Sequence, residues 1–171
     1  NRSTFVCSLN GTPVDCEDGT VTLTDLPSGT HVFRGAAVDT IGQADPTPVV
    51  RTFTVPFNDT RFGVRNFERL TSPSAYDGTF SLARAKNAVL RGKIAGARSV
   101  ALVVGGNARS GSVTVYLDDE EIGTVDLATS SPTQRVVAPV ASFDSARSGV
   151  LRVVTDSKKI VRIEGVAVVR R

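Results

Sequence analysis

Three groups of residues in this chain have the types and spacing for chemistry. Cys7 and Cys16 are its two cysteines, lying on either side of Asn10-Gly11. Asn-Gly favours a tight hairpin turn, and a hairpin there brings the flanking thiols towards one another. The expectation is a structural disulfide between Cys7 and Cys16, which implies an oxidising, secreted or cell-surface setting. The competing readings are poorer. One cysteine pair and the single histidine, His31, cannot supply the four ligands of a structural zinc site. His31 stands among apolar neighbours in THVFRGAAV, where no thiol or serine pairing is evident. Neither Ser-His-Asp nor Cys-His catalysis then has a free general base. No catalytic residue, metal or cofactor is expected, and the chain is not expected to be an enzyme.

The second group is the acidic run Asp118, Asp119, Glu120 and Glu121. Calcium wants six to eight oxygen ligands. Adjacent strand residues point to opposite faces, so four acids in a row do not converge on one ion unaided. A solvated hairpin turn is the better reading. The third group is looser. Sugar recognition pairs an exposed aromatic platform with polar side chains, and residues 57–171 have few aromatics to spare for it. Tyr76, beside Asp77 in a turn-like segment, is the best exposed candidate. Arg109, in GGNARSG, sits in a loop suited to an anionic group. The alternative is a purely structural role for all three.

The elements that must position these residues are strands. Residues 3–9 (STFVCSL) read as a strand before the NGTP turn. Residues 20–26 (TVTLTDL) alternate with period two, and 30–38 and 49–55 are further strands separated by Gly- and Pro-punctuated loops. Residues 56–66 read as a short junction. Beyond it, 74–83 is strand-like around a glycine, and 88–105 holds two strands split near Ala95-Gly96-Ala97. Residues 112–117 and 121–127 flank the acidic turn as a hairpin, and 134–143, 149–155 and 160–169 complete about eight strands, the rhythm of a two-sheet sandwich. No helical stripe appears, and Gly105-Gly106 reads as a turn rather than a phosphate loop.

The first half resembles the immunoglobulin-like repeat common in large secreted bacterial, especially actinobacterial, proteins. The matching residues are Phe5, Cys7 to Leu9, Cys16, Leu26, Gly29, His31, Phe33, Ala37, Asp39, Gly42, Asp45 to Pro48 and Thr52 to Val55. The resemblance implies spacer, stalk or adhesion modules. It also implies two further strands before Phe5, so residues 1–55 are expected to lack their first two strands. Either those strands have been lost from this chain, which is the default reading, or a neighbouring subunit or strand covers that edge. The second half, 67–171, is similar to jelly-roll modules akin to galactose-binding-like and carbohydrate-binding domains. That likeness rests on Phe67, Ser74 to Phe80, the valine-rich run 99–127, GVLRVV and Glu164. Trp is commoner where Phe67 stands, Gly where Asp119 stands, and Asp where Glu164 stands.

Composition narrows the rest. The formal charge is +3, divided as −3 over residues 1–56 (three basic, six acidic) and +6 over 57–171 (seventeen basic, eleven acidic). Such a division can steer the second half towards an anionic polymer. Nucleic acid is not expected, since Lys158-Lys159 and Arg170-Arg171 lack interleaved aromatics. No apolar run approaches the length of a membrane helix. The absence of Met and the start at Asn1 are read as a processed piece of a larger protein. The expected fold class is therefore all-β, a truncated immunoglobulin-like sandwich followed by a jelly-roll sandwich. The expected role is a non-catalytic extracellular structural or adhesive module. The alternative is an accessory module of a secreted hydrolase, binding a glycan or anionic wall polymer.

Overall fold

The computed structural model describes residues 4–16 and 18–170. The chain divides into two compact units, Asn1–Val55 and Pro56–Arg171, and both are built from strands.

The first unit is one antiparallel sheet of β1 (Thr4–Leu9), β2 (Thr12–Val14), β3 (Gly29–Val38) and β4 (Val49–Val55), in the order β2-β1-β3-β4. Asn10 and Gly11 both take positive φ (52° and 84°), the conformation that a two-residue hairpin between β1 and β2 requires. Cys7 and Cys16 are disulfide-bonded with their Cα atoms 6.1 Å apart. The Asn10 side chain ties the turn to β3. Its Oδ1 accepts the Val32 amide proton at 2.9 Å, so its Nδ2 is left to donate to His31 Nδ1, also 2.9 Å away. The other ring nitrogen, Nε2, faces the Pro27 carbonyl at 2.8 Å and must carry the proton. Buried and bonded through both nitrogens, His31 fastens a turn and is no free base.

Residues 20–26 depart from expectation. They join no ladder, although Val21, Leu23 and Leu26 are half-buried and the residues between them exposed. The alternation is therefore real as a burial pattern. A strand is also defined by the ladder it joins, and the segment pairs with neither outer edge of the sheet, β2 or β4.

The second unit contains β5 (Phe57–Asn58), β6 (Gly63–Arg65), β7 (Glu68–Thr71), β8 (Thr79–Ala83), β9 (Val89–Gly106), β10 (Ser112–Leu117), β11 (Glu120–Asp126), β12 (Thr133–Thr155) and β13 (Val161–Val169). Two very long strands organise it. The C-terminal part of β12 pairs with the N-terminal part of β9, as Val154↔Val89 and Arg152↔Arg91, and carries β10 and β11 on one side and β6 on the other. The N-terminal part of β12 pairs with the far end of β9, as Val136↔Val104 and Ala138↔Leu102, and the chain continues through β13 and β8 to β7. The two ends of β9 and β12 thus belong to two faces of a sandwich, here called the β10 sheet and the β13 sheet. The bend falls at Gly96 (φ 66°) and at register shifts between Ser142 and Gly149. This corrects the expected division: 88–105 is one strand, as is 134–155, because a bulge bends a strand without ending its ladder.

Every second residue of these strands faces inward. Leu90, Leu102, Val113, Val115, Leu151, Val153, Val161 and Ile163 are fully buried in a single core, each contributing about 1.5–3 kcal/mol of apolar burial. The segment 56–66 is not a junction. Phe62 is buried in this core, and the carboxylate of Asp59, also buried, accepts hydroxyl protons from Thr79 and Ser81 of β8 at 2.6 Å each. Arg69 donates to the carbonyls of Thr60 and Phe62 from the other side. A short, polar, Asp-containing stretch reads as a junction in sequence, but here its one buried acid is an anchor. Asp59→Ala leaves the buried Ser81 hydroxyl without its acceptor and Thr79 with only Asn58 Oδ1 at 3.0 Å, and is expected to lower stability by about 2 kcal/mol. Urea unfolding should show it, with Asp59→Asn recovering part of the loss.

Among the described residues no helix is long and apolar enough to cross a membrane.

Candidate functional site

The outer face of the β13 sheet carries a hollow with both apolar and polar walls. Its residues lie opposite one another by register: Leu70 on β7 with Phe80 on β8, Leu82 on β8 with Arg162 on β13, and Arg162 with Gly105 on β9. Ser81, Val161 and Ile163 are buried inward, so their neighbours Phe80, Leu82 and Arg162 must point out. The hollow, about 280 Å³, is completed by Asn107 and Ser110 after β9 and by Pro132, Thr133 and Gln134 at the start of β12. It offers apolar walls (Leu70, Phe80, Leu82) facing amides and hydroxyls (Asn107, Gln134, Thr133).

Arg162 lies flat across its floor. A Cβ at Gly105 would sit 2.9 Å from Arg162 Cδ and 3.0 Å from Glu164 Oε1, so this position must be glycine for the side chain to cross. The Gly105-Gly106 pair, read as a turn in sequence, instead continues the strand and clears this space. The guanidinium stacks on Phe80, 4.0 Å from the ring centroid, and its Nε lies 2.9 Å from Oε1 of the fully buried Glu164. The charges are in contact, but the angles do not make a hydrogen bond, so Arg162 Nε and Nη2 and Glu164 Oε1 remain without one. The second oxygen of Glu164 accepts the backbone N–H of Tyr76 at 2.8 Å.

Among the residues singled out in the sequence, Tyr76 departs most from expectation. It begins a three-residue 3-10 turn, Tyr76–Gly78, and is half-buried with its hydroxyl donating to the Pro56 carbonyl at 2.8 Å. Burial, and then the nearby Asp77 carboxylate, hold its phenol above the usual range. A ring whose hydroxyl is committed in this way is a brace, not an exposed platform. It reaches the hollow only through Glu164. Asp77 is exposed in the left-handed region (φ 50°), and Arg109 is exposed in the loop after β9; neither lines the hollow. Arg109 belongs to a turn that Asn107 closes by accepting its amide proton at 2.8 Å, and it is Asn107 and Ser110 that face inward.

The acidic hairpin is spent locally. Asp118 accepts the Val150 amide proton at 2.8 Å, and Glu120 takes two hydrogen bonds from Arg147, which hold its carboxyl below the usual range.

Phe80, Arg162, Asn107 and Gln134 were not anticipated as site residues. One signal for them was present. Arg162 and Glu164 are the only charged residues in the run IVRIEGVAVV, and an ionisable pair two apart in a buried strand calls for a partner.

The second unit resembles solved carbohydrate-binding sandwiches in fold. One is CsCBM6-3 from Clostridium stercorarium in complex with cellobiose, at TM-score 0.52 and 8% identity, covering 68% of this chain and 94% of that one. Another is the C-terminal CBM6 of LamC from Zobellia galactanivorans, at TM-score 0.50 and 10% identity, with 66% and 96% covered. A Paenibacillus xanthan lyase matches at TM-score 0.54 and 12% identity over 85% of this chain, which spans only 19% of the lyase. No protein-family model matches the sequence, and neither does any curated protein. At these identities the likeness establishes a jelly-roll β-sandwich fold and nothing finer.

Proposed function

We propose that the second unit is a non-catalytic carbohydrate-binding module and that the hollow on its β13 sheet receives a glycan. The observation that carries this reading is the hollow's composition. Leu70, Phe80 and Leu82 offer surface to the C–H faces of a sugar, and Asn107, Gln134 and Thr133 offer donors and acceptors to its hydroxyls. The fold likeness supports the same class. The first unit is assigned as an immunoglobulin-like spacer of the bacterial repeat type, in an extracellular protein, on its residue pattern and its disulfide. Together they make an accessory, surface-directed part of a larger protein, with a hydrolase as the attached activity.

Titration calorimetry of the whole chain against soluble β-glucan, xylan and galactan tests this. Binding to at least one is expected, weakened about tenfold by Gln134→Ala, which alters an exposed polar side chain and leaves the core intact. No heat with any of the three, or binding indifferent to Gln134→Ala and Phe80→Ala, would remove the hollow from consideration.

A further inference from the structure

The outer face of the opposite sheet carries an arrangement that the glycan hollow does not explain. Arg152 on β12 and Arg91 on β9 are direct cross-strand partners. Like charges in that position repel, and sheets ordinarily interpose or oppose an acid. None does so here. Among the described residues no carboxylate lies within ion-pair distance of Arg91 or Arg65. Arg152 has only the fully exposed Asp119 at 3.4 Å, besides a bond to the Asp118 carbonyl.

On the far side of Arg91 the register places Gly63 of β6, and two residues further along that strand stands Arg65, opposite Val89. With no side chain at Gly63, the three strands leave a hollow of about 350 Å³ lined by Gly63, Val64, Arg65, Val89, Arg91 and Arg152. Arg152 is steadied from the β10 side, its guanidinium 5.2 Å from the Tyr116 ring centroid. A Cβ at Gly63 would meet nothing closer than 3.7 Å, so the space is open and not forced by packing.

We infer that this hollow binds the acidic group of a polysaccharide, a uronate carboxylate or a sulfate ester. Guanidinium forks bond such planar or tetrahedral oxyanions in pairs, and the surplus of basic groups across residues 57–171 favours approach of a polyanion. A polysaccharide is preferred over nucleic acid because the hollow is small and no aromatic side chain lines it for bases to stack on. The site rests on the proposed glycan-binding role only in the class of polymer. It lies on the other sheet and uses none of the same residues.

Affinity electrophoresis of the whole chain in gels holding polygalacturonate, dextran sulfate or neutral dextran tests it. Retardation by one or both acidic polymers is expected at low salt, reduced at high salt, with none by neutral dextran. Polygalacturonate alone identifies carboxylate as the group, and dextran sulfate alone identifies sulfate. Arg65→Gln with Arg91→Gln should weaken retention about tenfold, whereas Lys86→Gln, a charge removed from the loop before β9, should not. Gly63→Val keeps every charge, puts a branched side chain beside Arg91 where the glycine leaves space, and should also weaken retention. The inference is overturned if neither polymer retards the protein, if Gly63→Val binds like the unaltered chain, or if a polynucleotide is retained and both polysaccharides are not. Loss of neutral-glucan binding on the β13 sheet would leave these results unchanged, so the two assignments fail separately.

Discussion

Reducing the Cys7–Cys16 bridge is expected to unfold the first unit and leave the second folded. The reason is how little else the first unit buries. Among its described residues only Cys7, Cys16, Gly29 and His31 are buried, while Phe5, Val6, Ile41, Val49 and Val50 are exposed. The bridge is therefore a large part of the core as well as a cross-link. Units of this size rarely hold without a staple, and closing so short a loop is worth about 3 kcal/mol in the unfolded chain. The second unit contains no cysteine, and its core is continuous from Phe62 to Val168. Hydrogen exchange on the whole chain, with and without reductant, reads the two units separately. Amides of β1 and β3 should lose protection, while those of β9 and β13 should keep it. Retained protection in β3 would mean that the Asn10–His31–Pro27 bonding, rather than the disulfide, holds the sheet.

The sequence carried the periodic and local features and missed those that depend on which strand lies beside which. Asn10-Gly11 between two cysteines specifies its own turn, and the turn sets the bridge. Valine-rich alternation from 99 to 117 specifies strands whatever they pack on. Residues 20–26 show the limit: the alternation was read correctly, yet pairing depends on a partner strand elsewhere. The same holds for 56–66, which reads as a short junction because the hydroxyls that bury Asp59 stand some twenty positions later. Tyr76 was judged exposed from its turn, and only the fold places the Pro56 carbonyl and Gly165 against it. Both hollows are assembled from three or more strands, with Phe80, Arg162 and Gln134 in one and Arg65, Arg91 and Arg152 in the other. No window of sequence contains either set.

Replacing Arg162 by leucine is expected to cost the second unit about 3–5 kcal/mol, far more than the loss of a surface arginine. Glu164 explains the difference. Its carboxylate is fully buried, and among the described residues the only cation within ion-pair distance is Arg162. Leucine fills much of the arginine's stem volume over Gly105 and Phe80 but leaves a buried charge with a single backbone donor, the Tyr76 amide. The second substitution in the cycle must preserve that bond, so glutamine is chosen at 164: it removes the charge and retains an acceptor. Arg162→Leu with Glu164→Gln should recover most of the lost stability, and Glu164→Gln alone should cost less than Arg162→Leu alone. Guanidinium unfolding of all four proteins gives the coupling from the midpoints, provided the slope is unchanged. Additive effects would show that the stack on Phe80, not the charge pair, is what Arg162 contributes. The double variant also separates folding from recognition. It restores the sheet while leaving the floor of the hollow without its guanidinium, so a stable double variant that no longer binds glycan would place Arg162 in the site as well as in the fold.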